Sequence, residues 1–186
     1  MNYKAITSLL VLIPLLLGGV STSHIVTGGS DIAPAASVKP QELLNYTQIS
    51  LAGTMWQPQR DTQFSQWVVY GWGTAVRSSS AGNRWVHIGI PNTFFHDNNI
   101  EKVYMATFCA KSSRGSHTKP IQMDVWSYDS MIGTKTITWA SANFIQCDTM
   151  MIPATEYRDI SISVKLHFAN TTDVITLYRA EVSTQH

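Results

Sequence analysis

Asp159-Ile160-Ser161-Ile162-Ser163-Val164-Lys165-Leu166-His167-Phe168 is the stretch that decides the architecture. Ile160, Ile162, Val164, Leu166 and Phe168 alternate without a fault with Asp159, Ser161, Ser163, Lys165 and His167. Successive side chains of a strand point to opposite faces, so this is a strand with one face in a core and one against water. A helix would scatter the same apolar residues around its circumference instead of gathering them on one side.

The same period runs outward from this strand. Ala169 to Asp173 is a polar turn, and the β-rich stretch from Val174 to Val182 is expected to complete a hairpin. Arg84 to Ile90 sets Val86, Ile88 and Ile90 on one face and Trp85 and His87 on the other, and it stops at Pro91-Asn92. Ile121 to Asp129 sets Ile121, Met123 and Val125 inward, which turns Gln122, Asp124, Trp126 and Tyr128 outward. Thr134 to Ala140 reads as a further short strand. Trp67 to Trp72 and Val103 to Ala110 are apolar on both faces, the pattern of strands inside a packed structure. The one weak helical signal, Gln41 to Gln48, is two turns at most. About eight strands separated by Gly, Asn, Ser and Pro predict an all-β fold: an antiparallel two-sheet β-sandwich, jelly-roll-like. An immunoglobulin pattern fits less well, because Trp126 and Trp139 fall late between Cys109 and Cys147.

Composition narrows the function classes. The 186 residues include 13 basic and 12 acidic side chains, a net charge of +1. That balance gives no long-range field for a phosphate backbone, so nucleic acid is not an expected partner. At 44% hydrophobic, the chain can fill a core and is not a disordered polymer.

Residues 1–23 have the three parts of a secretory signal peptide: Lys4 near the start, an uncharged run from Ala5 to Val20, then Ser21, Thr22 and Ser23. The run falls short of the roughly 20 residues needed to span a bilayer. Cleavage near Ser23 would leave no membrane span, a Gly-, Ala- and Pro-rich flexible leader at 24–42, and one β-sandwich domain at 43–186. The expected location is secreted or at the cell surface. In an oxidising compartment the two cysteines, Cys109 and Cys147, are expected to pair.

The chain has no Gly-rich phosphate loop, no Gly-x-Ser-x-Gly elbow and no His-Glu-x-x-His. The histidines lie on polar strand faces or in turns, and no catalytic residue, cofactor or metal is assigned. Asp97-Asn98-Asn99 with Glu101 has oxygen donors of the kind calcium takes, although Asx-rich turns form without a metal. Asn45 and Asn170 open N-glycosylation acceptor patterns.

The aromatic residues carry more information. Trp126 and Tyr128 share a face with Gln122 and Asp124, and Trp85 shares one with His87, giving two polar-aromatic patches. Flat rings beside hydrogen-bonding groups are how proteins hold sugars. The leading expectation is a secreted non-catalytic carbohydrate-binding module with a glycan or other surface ligand as partner. An assembly subunit of a surface layer, fibre or coat, made by self-assembly, is the alternative. A small exported hydrolase is the third reading.

Overall fold

The computed structural model describes residues 46–90, 95–96, 99–155 and 159–185. All of them fall in the compact unit Glu42–His186. Residues 1–42, expected from the sequence to be signal peptide and leader, lie outside the described residues, as do Asn45, Asp97 and Asn98.

The strands in chain order are β1 (Tyr46–Ala52), β2 (Gln57–Pro58), β3 (Phe64–Tyr70), β4 (Gly73–Ser78), β5 (Gly82–Gly89), β6 (Phe95–His96) and β7 (Asn99–Ile100). They continue as β8 (Lys102–Ser112), β9 (Lys119–Ser127), β10 (Ser130–Thr136), β11 (Gln146–Thr155), β12 (Ile160–Phe168) and β13 (Ile175–Gln185). One six-stranded sheet runs β11-β8-β13-β4-β3 with β1 also on β13, a five-stranded sheet runs β10-β9-β12-β5-β2, and β6 and β7 form a separate ribbon. Every pairing in the two large sheets is antiparallel.

Setting aside β1, β2 and β3 leaves two four-stranded sheets, β4-β13-β8-β11 and β5-β12-β9-β10. Among these eight strands the chain changes sheet at every step except the β9–β10 hairpin. That connectivity is a jelly roll. The two large sheets hold six and five strands, eleven rather than about eight, because three N-terminal strands extend the roll at its margins.

The core lies between the sheets. All five apolar residues of β12 are buried, with Val86, Ile88, Met123 and Val125 from their own sheet. Val76, Ala106, Phe108, Ile175, Leu177 and Val182 face them from the six-stranded sheet. Trp56, fully buried after β1, plugs the same core. Cys109 and Cys147 sit opposite each other in the β8–β11 register, with Cα atoms 4.0 Å apart, and are joined by a disulfide. Among the described residues no helix is long and apolar enough to cross a membrane.

Several local expectations are corrected. The segment from Val174 onward does not fold back on β12; β13 crosses to the other sheet, because β12 is already paired with β5 on one edge and β9 on the other and has no free edge for a hairpin partner. Residues 46–48 are strand rather than helix, since β1 gains a ladder along β13. Trp67 to Trp72 is not interior: β3 is an edge strand whose end exposes Val69, Tyr70 and Trp72. Val103 to Ala110 does lie inside, between β11 and β13. The strand expected at Thr134 to Ala140 starts earlier, at Ser130, and ends at Thr136. In β9 the register against β12 shifts between Lys165 and Leu166, which buries Pro120 and leaves Ile121 only half-buried. A bulge adds one residue and reverses the phase on its far side.

Candidate functional site

The outer face of the five-stranded sheet holds the candidate site. β12 lies between β9 and β5, so three rows of side chains cross the three strands. Trp126, Ser161 and Gly89 form one row; Asp124, Ser163 and His87 the next; Gln122, Lys165 and Trp85 the third. Thr134 of β10 continues the middle row beyond Asp124, and Gln57 of β2 continues it beyond His87. The two polar-aromatic patches expected separately are therefore one surface, joined by the polar face of β12.

A depression of about 420 Å³ occupies this surface. Trp85, Trp126 and Tyr128 supply its rings, and His87, Asp124, Ser161, Ser163 and Gln59 its polar groups. Gly89 contributes no side chain, and a Cβ built on it would meet no atom within 4 Å. This missing side chain keeps the row beside Trp126 open.

Each polar group is held in place. Asp124, only 5% exposed, accepts hydrogen bonds from Thr134 Oγ1 at 2.6 Å and from Gln122 Nε2 at 2.9 and 3.2 Å. Gln122 thus stands behind Asp124 as a positioning residue and does not line the depression. His87 Nδ1 lies 2.7 Å from Ser163 Oγ, and burial lowers the imidazole pKa below its ordinary 6.5. A neutral ring offers one donor and one acceptor nitrogen. The Lys165 ammonium lies 5.3 Å from the Trp85 ring centroid, a cation–π contact that steadies the indole. The Gln59 backbone N–H donates to the Trp85 carbonyl at 3.0 Å, which brings Gln59 to the rim.

Trp126 and Tyr128 both line the depression on the outer face, but from different kinds of position. β9 ends at Ser127, so Tyr128 belongs to the β9–β10 turn, with φ 53° and 63% exposure. Trp126 lies within β9 and is half-buried. The sequence reading missed Ser161, Ser163 and Gln59. The first two were visible as the polar face of β12, but nothing indicated that β12 would separate the two aromatic strands. Gln59 carried no signal at all.

The Ser163–His87 contact invites comparison with a nucleophile and its base. In a catalytic triad the imidazole lies between the hydroxyl and the carboxylate, which orients it. Here the order across the sheet is Asp124, Ser163, His87. The serine is in the middle, and Asp124 is engaged by Thr134 and Gln122 instead of the imidazole. The groove also presents one carboxylate, whereas glycoside hydrolysis by the usual route needs two. Among the described residues no group of three or more His, Cys, Asp or Glu could hold a metal ion. Asn170 is exposed in the turn after β12.

No family model matches the chain. No curated protein matches it either. Solved structures of similar shape include the CBM36-1 domain of a multidomain xylanase from the hindgut metagenome of Trinervitermes trinervoides. It is 9% identical, with 73% of this chain and 96% of that one covered and a TM-score of 0.43. A low-affinity xylan binding module, CBM86, from Roseburia intestinalis is 11% identical, covering 74% of this chain and 96% of its own at a TM-score of 0.48. TmCBM61, solved in complex with β-1,4-galactotriose, is 13% identical, with 70% and 90% covered and a TM-score of 0.46.

Proposed function

We propose that this chain is an exported, non-catalytic glycan-binding module whose site is the groove on the five-stranded sheet. The observation that carries the reading is the convergence of Trp85, Trp126 and Tyr128 with Asp124, His87 and two serines around one open depression. Pyranose rings offer apolar C–H faces and a rim of hydroxyls. Indole and phenol rings match the faces, while a carboxylate and a neutral imidazole match the rim. Asp124 accepts from sugar hydroxyls, and no Lys or Arg of the described residues lines the depression to pair with an acidic sugar, so the ligand is a neutral glycan.

The order of Asp124, Ser163 and His87 favours binding over hydrolysis, and a Ser163→Ala variant separates the two. Binding predicts that wild type and variant both leave ester and glycoside substrates intact. Turnover by wild type that Ser163→Ala abolishes would establish the hydrolase instead. The binding itself is tested on an array of neutral glycans followed by titration calorimetry. Saturable binding that Trp85→Ala removes supports the proposal, and no binding to any neutral glycan refutes it. Size-exclusion chromatography checks the assembly alternative, since a binding module elutes as a monomer and a layer or fibre subunit as large oligomers.

A further inference from the structure

The outer face of the six-stranded sheet carries an aromatic ridge that the groove does not use. Trp72, in the turn between β3 and β4, is 55% exposed. Its ring stacks on Tyr70 with centroids 4.9 Å apart and on Tyr178 of β13 at 5.5 Å. Trp72 and Tyr178 together separate two depressions, of about 350 and 300 Å³, and line both. An exposed indole on its own needs no explanation. Two stacked rings between two concavities, with Tyr70 stacked behind Trp72, form a built surface.

The charged side chains that line the two depressions are of one sign. Arg179 lines the larger depression and Lys111 the smaller, and no carboxylate lines either. Glu181 is an acid paired with Arg179: its Oε2 lies 3.5 Å from Arg179 Nε, and this buried carboxylate offsets part of the Arg179 charge without lining either depression. Arg179 Nε also donates to Cys109 Sγ at 3.4 Å. Both contacts use Nε, so the two terminal nitrogens of the guanidinium fork remain as donors for a ligand. Lys111 pairs with Thr176 in the β8–β13 register. Arg179 is three residues further along β13, roughly 10 Å at the usual strand rise. The two cations thus bracket the ridge.

We infer that this ridge is a second ligand site, for an acidic glycan. Trp72 and Tyr178 supply apolar contact to the sugar faces, and Arg179 and Lys111 pair with carboxylate or sulfate groups on either side. The groove on the opposite sheet, with its buried Asp124, has the reverse preference. Charge is also what selects a glycan over a second copy of this chain: no acidic side chain of the described residues lines either depression, so like surfaces meeting here would set cation against cation.

The probes are trigalacturonate, a mannuronate trimer and a chondroitin sulfate tetrasaccharide, titrated at low and moderate salt beside the carboxyl-reduced form of trigalacturonate. At least one acidic probe should bind and its neutral counterpart should not, with affinity falling as salt rises. Trp72→Ala should weaken that binding about tenfold or more, and Lys111→Gln should weaken it several-fold and flatten the salt dependence. Trp126→Ala should leave it unchanged. That last arm keeps the two sites distinct, so the ridge stands even if the groove binds nothing. Failure of all three acidic probes at millimolar concentration would overturn the inference. So would binding lost through Trp126→Ala rather than Trp72→Ala, or a concentration-dependent dimer that Trp72→Ala dissolves.

Discussion

Replacing Gly89 by isoleucine should block the groove while strengthening the fold, a combination that damage to the domain cannot produce. Gly89 ends β5 on the outer face, in the same row as Ser161 and Trp126. It is exposed, and a Cβ placed on it finds open space within 4 Å. Glycine in a strand costs roughly 0.5–1 kcal/mol of backbone entropy relative to a residue with a Cβ. A β-branched residue also fits the pleated surface better. The expected gain is therefore about 1 kcal/mol, or about 2–4 °C in melting temperature for a unit of this size. The new side chain would stand beside Ser161, which lines the groove, and the expected loss of affinity is at least about tenfold, roughly 1.4 kcal/mol. Thermal denaturation and titration calorimetry on one preparation read both quantities. A destabilised Gly89→Ile, or a stable one that binds as tightly as wild type, would refute the assignment of this row to the groove.

Three further outcomes follow from particular contacts. Tyr128→Ala should change folding stability by less than about 0.5 kcal/mol and still weaken glycan binding, whereas Phe168→Ala, in the core, should cost roughly 3–5 kcal/mol in chemical denaturation. Cys109→Ser with Cys147→Ser removes a link between residues 38 apart in sequence and should cost about 4 kcal/mol, seen as a lower denaturation midpoint. Because burial lowers the His87 pKa in the folded state, the unfolded chain takes the proton first on acidification. The stability that His87 contributes is complete above its ordinary 6.5 and is lost as pH falls through that value towards the folded pKa. His87→Asn should flatten this part of the stability–pH curve, and an unchanged slope would place the pH dependence elsewhere.

How far the sequence could be read depends on the range of the forces involved. The inward set of β12 was legible because a two-residue period is a local consequence of burying one face. The outward phase of Trp85, His87, Asp124 and Trp126 was legible for the same reason. Strand neighbourhood is not local: nothing in either aromatic strand shows that β12 will lie between them and merge their patches. The crossing of β13 to the other sheet was missed because a polar turn after β12 suits a hairpin and a crossover equally well. Pro120 displaced Ile121 through a bulge, which depends on the partner strand. The edge position of β3 escaped because an apolar stretch reads alike whether its residues face a core or, like Trp72, a surface that holds a ridge.

The indole N–H signals of the six tryptophans give the most direct test. In a ¹⁵N-labelled sample titrated with a neutral oligosaccharide, the Trp85 and Trp126 signals should shift together with one saturating isotherm. Trp56 is buried in the core, and Trp72 belongs to the opposite sheet, so both should stay in place. A neutral glycan that binds while the Trp85 and Trp126 signals remain still would contradict the assignment of the groove as its site.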